Sequence, residues 1–330
     1  MDWKGLHSGS VDCLEKLRGA GFAAYPVGGC VRDLLLGRAP GDVDVCTSAR
    51  PEEVMALFPD AIPTGILHGT VTVLTPTGPV EVTTFRREEG YGDSRHPDAV
   101  TFDVGLTGDL SRRDFTMNAM AMDADGTVID PFGGRGDLAR GLIRCVGEPD
   151  RRFGEDALRM FRAVRFAAQL GFAIDGETRA AMARHASGAE KVSRERIKGE
   201  LEKTLLSPWP ERAGDMIQLG LLAHLFTPQE GWDLAGLAAL PSTPEARWRG
   251  FCTAAGFPIT ALPVERKLRR AVERPEEALI PTLALSGGEL MALGLTGAEI
   301  GRAQREMARH VLDHPEDNRK EALLALLRLR

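Results

Sequence analysis

The stretch GGCVRDLLLGRAPGDVDV, which starts at Gly28, sets two aspartates, Asp42 and Asp44, one residue apart. On a strand, side chains alternate between faces, so both carboxylates share one face while Val43 and Val45 turn to the other. Neighbouring carboxylates repel, and acidic residues are depleted from strands. A divalent cation offsets that repulsion: Mg²⁺ takes one or two carboxylates and completes its shell with phosphate oxygens and water. Standing alone, the pair reads more simply as the solvated acidic face of an edge strand. Glu81, in PVEVTTF, adds a third carboxylate if a neighbouring strand brings it to the same edge.

What precedes the aspartates favours the metal. FAAYPV reads as a strand, Gly28 and Gly29 as a turn, and CVRDLLLG as a short helix closed by Gly37. Unpaired backbone N–H groups at such a turn receive phosphate oxygens, and Arg32 can add charge-assisted hydrogen bonds to a triphosphate. The glycine spacing matches neither the dinucleotide fingerprint nor the P-loop.

The elements that must position these residues change character near residue 145. Before it lie short β-rich runs, with GTVTVL and VEVTTF joined by PTGP as a hairpin; after it, apolar residues recur at three- and four-residue spacing. The pattern predicts an α/β head followed by helical modules, with residues 228–262, rich in Pro, Gly and Ala, the least patterned stretch. At 330 residues the chain suits two or more domains, and its 43% hydrophobic and 27% charged content is that of a globular protein. No apolar run approaches the length of a membrane span and the N-terminus lacks a signal-peptide plan, so the expected location is the cytoplasm, with no membrane partner. The five scattered cysteines form no C-x-x-C pair and are expected as free, mostly buried thiols. The histidines show no metal-ligand spacing. The net charge of −6 argues against a generally basic nucleic-acid binder, yet residues 151–205 hold twelve Lys and Arg against eight Asp and Glu, a local basic region on predicted helix.

Five segments in order, GGCVRDLLLGRAPGDVDVCTSA, RRDFTMNAMAMD, IDPFGG, RRFGEDALRMFRAVRFA and SRERIKGELEKTL, resemble the motifs of the bacterial, class II family of CCA-adding tRNA nucleotidyltransferases and poly(A) polymerases, from about residue 24 to 206. The resemblance implies an α+β fold: a polymerase-β-like nucleotidyltransferase head at 1–145, then a helical neck at 146–206, body at 207–270 and tail at 271–330. It implies template-independent addition of CMP, CMP and AMP to the 3′ end of tRNA from CTP and ATP. Asp42 and Asp44 would hold Mg²⁺, with Glu81 beside them, and Gly28, Gly29 and Arg32 would receive the triphosphate. Arg113 matches a residue that contacts the nucleotide, while Asp114 and Asn118 would bond the ribose 2′-OH. The tail, which again looks like the family over Leu285 to Leu327, would bind the tRNA elbow.

Base choice follows from hydrogen-bonding order. Asp156 can accept from an exocyclic amine and Arg159 can donate to the adjacent ring nitrogen, the order that cytosine and adenine present. Uracil and guanine set a carbonyl against the carboxylate, at about 1–3 kcal/mol for each unmet partner. Arg159, Arg162 and Arg165 recur every third residue and spread over about 120° of a helix, so they can surround a nucleotide and its phosphates. Glu195 and Arg196 read as supports for that helix.

Several alternatives remain. REEGYGDSRHPDAV (Arg87 to Val100) corresponds to the flexible loop of enzymes that add the terminal A, which leaves an A-adding enzyme with a separate CC-adding partner open. A poly(A) polymerase is disfavoured because GILHGTVTVL replaces that branch's basic signature. A non-catalytic RNA-binding protein has no need of Asp42 and Asp44, and an antibiotic or protein nucleotidyltransferase has no need of an amine-reading helix.

Overall fold

A computed structural model describes residues 3, 5–89, 99–102 and 104–328. The chain divides into two compact units: unit 1 takes residues 1–193 and 215–224, unit 2 takes residues 194–214 and 225–330.

Unit 1 begins α1 (Ser8–Gly19), β1 (Ala24–Val27), α2 (Gly29–Leu35), β2 (Asp44–Thr47), α3 (Pro51–Leu57), β3 (Ile62–Gly65), β4 (Thr70–Thr75) and β5 (Gly78–Thr84). It continues β6 (Arg87–Glu89), β7 (Ala99–Thr101), α4 (Leu106–Ser111), β8 (Ala121–Met122), β9 (Val128–Ile129), α5 (Gly134–Ala139), β10 (Leu142–Ile143), α6 (Pro149–Glu155), α7 (Leu158–Leu170), β11 (Ala173–Ile174) and α8 (Gly176–His185). Seven strands form one sheet in the order β3-β4-β5-β2-β1-β8-β9. All neighbours in it are antiparallel except β2 and β5, which run parallel with Asp44 opposite Glu81. β4 and β5 form the hairpin that PTGP announces, with Thr75 paired to Gly78. Val27, Cys46, Phe85, Leu110, Ala119, Ala121 and Val146 pack as one buried cluster behind the carboxylate edge.

Two local differences from the sequence pattern matter for the site. β2 starts at Asp44, so Asp42 lies in the bend that leads into the strand, although exposure still alternates from Asp42 to Val45. The run EDALRMFRAVRFAAQL is not one helix: α6 ends at Glu155, Asp156 takes extended angles (φ −147°, ψ 107°), and α7 starts at Leu158. Asp156 Oδ1 accepts the Leu158 N–H at 3.0 Å, a side-chain bond that satisfies one of the first-turn donors of α7.

Unit 2 is helical: α9 (Arg194–Leu205), the start of α10 (Ala213–Gln218), α11 (Pro244–Ala255), α12 (Arg266–Glu273), α13 (Pro275–Leu279), α14 (Gly287–Ala292), α15 (Gly297–Asp313) and α16 (Lys320–Arg328). α10 is shorter than AGDMIQLGLLAHLF suggests, because Gly220 turns the chain at φ 75° two residues after the helix ends. α11 has Thr243 as N-cap and Pro244 at its first position, and it delivers Trp248 and Phe251 to an aromatic cluster with Phe226 and Phe257. α14 and α15 each open with a capping box, Ser286 with Glu289 and Thr296 with Glu299. Leu285, Leu290, Met307 and Leu323 centre a second apolar cluster.

Candidate active site

The β1–β2 pairing sets the geometry. Val27 lies opposite Asp44, so the glycine turn that follows Val27 sits next to the carboxylate edge. Gly28 has φ 80°, a conformation that side-chain-bearing residues rarely adopt, and a Cβ there would lie 2.9 Å from Arg113 NH1. Arg113 therefore packs directly against the turn. Gly29 opens α2, whose Arg32 is nearly buried: Nε and NH2 donate to the two oxygens of Asp33 at 2.9 and 3.0 Å, and NH1 donates to Asn118 Oδ1 at 2.9 Å. The turn, Arg32, Arg113 and Asn118 thus belong to one locality.

Although Asp44 keeps an exposed surface, desolvation of its carboxyl by the packed surroundings raises it above its ordinary range, with Arg113 opposing the shift and Asp42 adding to it. Desolvation also raises Glu81, with Asp44 and then Asp42 contributing. This is an edge of mutually repelling hard oxygen donors, the donor type suited to a divalent cation. Among the described residues no three His, Cys, Asp or Glu side chains gather closely enough to hold a metal by themselves. A cation at Asp42 and Asp44 would need ligand oxygens such as phosphates, the mode of binding that Mg²⁺ favours.

Asp114 is buried and both its carboxylate oxygens accept hydrogen bonds. Oδ1 accepts the Phe115 N–H at 2.8 Å and Asn118 Nδ2 at 3.3 Å; Oδ2 accepts Arg162 Nε at 2.7 Å. Burial alone would raise its pKa, but the charge and hydrogen bond of Arg162, with Arg159 behind it, hold it down to about 2. A carboxylate depressed in the fold stabilises it above the unfolded pKa near 3.8, and that contribution disappears as pH falls through 2. Urea titrations of the wild type and Asp114→Asn between pH 5 and 2 should show a component on the order of 2 kcal/mol, lost with acid in the wild type and absent from the variant.

Three arginines surround one ring. The guanidinium carbons of Arg32, Arg162 and Arg165 lie 5.3, 5.4 and 3.9 Å from the Phe166 ring centroid. Arg165 NH1 also donates to Gln169 at 2.7 Å. Sequence reasoning missed Phe166 as an organising residue; its signal was an aromatic four positions after Arg162, where one helical turn brings the two side chains together. It also missed Asp33, which holds Arg32, and Glu155, which holds Arg159. Arg159 NH1 donates to Glu155 Oε2 at 2.7 Å and to the Arg152 carbonyl at 3.2 Å, and NH2 donates to the Arg112 carbonyl at 3.1 Å. Asp156 sits at the α6–α7 break, three residues before Arg159. Of the loop read from Arg87 to Val100, β6 and β7 pair as a two-stranded ribbon, and residues 90–98 lie outside the described residues. Glu195 and Arg196 belong to α9 in unit 2.

The remaining sequence expectations concern composition. Four of the five cysteines are buried and Cys252 half-buried, all as free thiols. Among the described residues no helix is long and apolar enough to cross a membrane.

Known proteins resemble the chain over much of its length. Residues 24–144 match the Poly A polymerase head domain, and residues 171–230 match the probable RNA and SrmB-binding site of polymerase A. A CCA-adding enzyme of Geobacillus stearothermophilus is 49% identical over 249 residues, 74% of this chain and 62% of that one. One from Limosilactobacillus fermentum is 52% identical over 214 residues, 65% of this chain and 52% of that one. The match therefore spans less than two thirds of these curated relatives' own length. The crystal structure of the Bacillus stearothermophilus CCA-adding enzyme in complex with CTP superposes with a TM-score of 0.69 at 35% identity, covering 98% of each chain. The Thermotoga maritima CCA-adding enzyme complexed with tRNA shares the fold, with a TM-score of 0.59 at 18% identity over 98% of this chain and 96% of that one. With a head-domain match that spans the carboxylate edge and an end-to-end likeness to the CTP-bound enzyme, the chain belongs to the family of CCA-adding enzymes.

Proposed function

We propose that this protein adds CMP, CMP and AMP to the 3′ end of tRNA, using CTP and ATP and releasing pyrophosphate, in the cytoplasm. The observation that carries the reading is the β1–β2–β5 register, which sets Asp44 beside Glu81 and beside the glycine turn packed against Arg113. Asp42 and Asp44 would hold Mg²⁺, which when bound neutralises triphosphate charge and favours the RNA 3′-hydroxyl as nucleophile. Gly28, Gly29, Arg32 and Arg113 receive the triphosphate and orient its α-phosphate for attack. Arg162 and Arg165, stacked on Phe166, add positive charge where the phosphates lie. Asn118 and Asp114 face the ribose, and Asp156 with Arg159 reads the base edge. Catalysis on this plan is mostly orientation and charge stabilisation.

The functional segments proposed are head (1–145), neck (146–206), body (207–270) and tail (271–330). For the RNA, unit 2 offers a cleft of about 870 Å³ lined by α11, α12, α13 and the end of α15. Lys267 and Arg270 on its wall pair with Glu245 and Glu277, whereas Arg249 and Arg266 make no ion pair among the described residues. Such cations suit phosphodiester contacts.

The test is incorporation of labelled CTP and ATP, separately and together, into one tRNA transcript ending at the discriminator base, at C and at CC. The expected result is CMP on the first two and a single AMP on the last. AMP alone on the CC-ended substrate would make it the A-adding member of a pair. A long A tail on unrelated RNA would overturn the reading in favour of a poly(A) polymerase.

A further inference from the structure

The arginine proposed to read the base is anchored to the backbone carbonyls of the peptide that carries Arg113, and those carbonyls have no assigned part in the reaction. α4 ends at Ser111, so its last carbonyls lack intrahelical partners. Two arginines of the following helices fill that role: Arg152 NH1 donates to the Ser111 carbonyl at 3.2 Å, and Arg159 NH2 donates to the Arg112 carbonyl at 3.1 Å. Arg152 NH2 and Arg159 NH1 also grip the two oxygens of Glu155, at 2.8 and 2.7 Å.

The side chains of the same peptide turn to a single carboxylate. Arg112 Nε donates to Asp109 Oδ1 at 2.9 Å, and Arg113 NH2 reaches Asp109 Oδ2 at 3.4 Å. The Arg86 backbone N–H also donates to Oδ1, at 3.4 Å. Asp109 is completely buried. A buried carboxylate persists only where charge and hydrogen bonds compensate it, and here two guanidinium groups do so. Asp109 is thus a node. Through Arg113 it touches the wall of the glycine turn; through the Arg112 carbonyl it bears on Arg159.

Donor accounting shows why this carbonyl matters. Arg159 NH1 uses both hydrogens, on Glu155 and the Arg152 carbonyl, and NH2 uses one on the Arg112 carbonyl. Nε–H and the second NH2 hydrogen complete the five-donor guanidinium, and they point where the other three bonds aim the plane. If the Arg112 carbonyl moves, that plane rotates.

We propose that Asp109 is a positioning residue for nucleobase selection, holding the Ser111–Arg113 peptide so that its carbonyls fix the Arg159 guanidinium plane. The proposal rests on Arg159 being a base reader. Misplacement of a positioned group by about 1 Å costs up to about a hundredfold in rate, and the loss falls on the nucleotides whose edges the plane is built to match. Asp109 therefore governs discrimination through Arg159 in addition to its common effect on all nucleotides through Arg113.

The experiment is the ratio of kcat/KM for CTP to that for UTP on a tRNA ending at the discriminator base, with the full chain. Asp109→Asn keeps the shape and removes the charge. The expected result is a fall in the CTP-to-UTP ratio of about tenfold, with RNA binding retained. An equal loss for both nucleotides would mean a purely structural role and would overturn the proposal. If Asp109→Asn does not fold, Arg112→Met breaks the same link from the other side, and its ratio is read in the same way. Arg159→Lys is the separate control: an unchanged ratio there would remove the base-reading role itself, whereas a lowered ratio there with an unchanged ratio in Asp109→Asn and Arg112→Met would overturn the Asp109 proposal alone.

Discussion

Asp44→Ala is expected to abolish the proposed nucleotide transfer, by about 10³-fold or more, in a protein that stays folded and keeps its tRNA binding. The size follows from charge: removing one of the two carboxylates proposed to hold the cation would forfeit several kcal/mol of stabilisation of the reacting phosphate, and each 1.4 kcal/mol is about tenfold. The stability result has the opposite sign. Asp44 has its pKa raised by desolvation, with Asp42 adding to the rise and Arg113 opposing it. A carboxyl raised in the fold opposes folding once pH rises above its unfolded value, so at neutral pH alanine leaves the melting temperature unchanged or higher. Incorporation assays, thermal melts and tRNA binding on one preparation check all three statements. Retained turnover in Asp44→Ala would remove the metal proposal, whereas lost turnover with lost folding would say nothing special about the carboxylate.

The second large effect concerns Asp156→Asn. The cap bond matters here, because the Leu158 N–H must face an oxygen at 3.0 Å from the side chain. Asparagine keeps that bond by turning its carbonyl oxygen to the backbone, which sets its NH₂ where the second carboxylate oxygen stood. On the proposed role of Asp156, a donor then faces the base. Cytosine and adenine present an amine to it and lose a partner; uracil and guanine present a carbonyl and gain one. With about 1–3 kcal/mol for each partner lost or gained, the CTP-to-UTP preference should fall by about a hundredfold or more. Steady-state kcat/KM for all four nucleotides reads this directly. A variant with uniformly low activity and an unchanged order of preference would contradict the proposed role.

Much of the head was legible because its chemistry and its pattern coincide. The alternation of Asp42, Val43, Asp44 and Val45, the hairpin at PTGP and the glycine turn are local features that two or three residues specify. The pairing of Asp44 with Glu81 was visible only as a possibility, since strand order is a property of the whole sheet and these residues lie 37 apart. The break at Asp156 was hidden by a strong helical period on both sides. A cap side chain that bonds two residues ahead outweighs periodicity at that one position. α11 was obscured in the opposite way: Pro, Gly and Ala around it diluted the pattern, yet Trp248 and Phe251 suffice to bury one face. The ion-pair partners Asp33, Asp109 and Glu155 were unreadable, because a charged residue next to an arginine looks like ordinary surface until burial shows that it cannot be.

The division of the chain bears on how such a protein is assembled from modules. Neither unit is a continuous stretch: residues 194–214 leave unit 1 and residues 215–224 return to it. The returning piece is anchored, with Arg179 NH1 donating to Asp215 at 2.9 Å and Leu221 and Leu222 buried. A single cut therefore keeps unit 1 whole only beyond His224, and it then carries residues 194–214 along. A recombination event or protease nick near Ser193 would strip the unit of a buried segment, so an exchange of the half proposed to face RNA between homologues is expected to be tolerated only when its junction lies beyond His224.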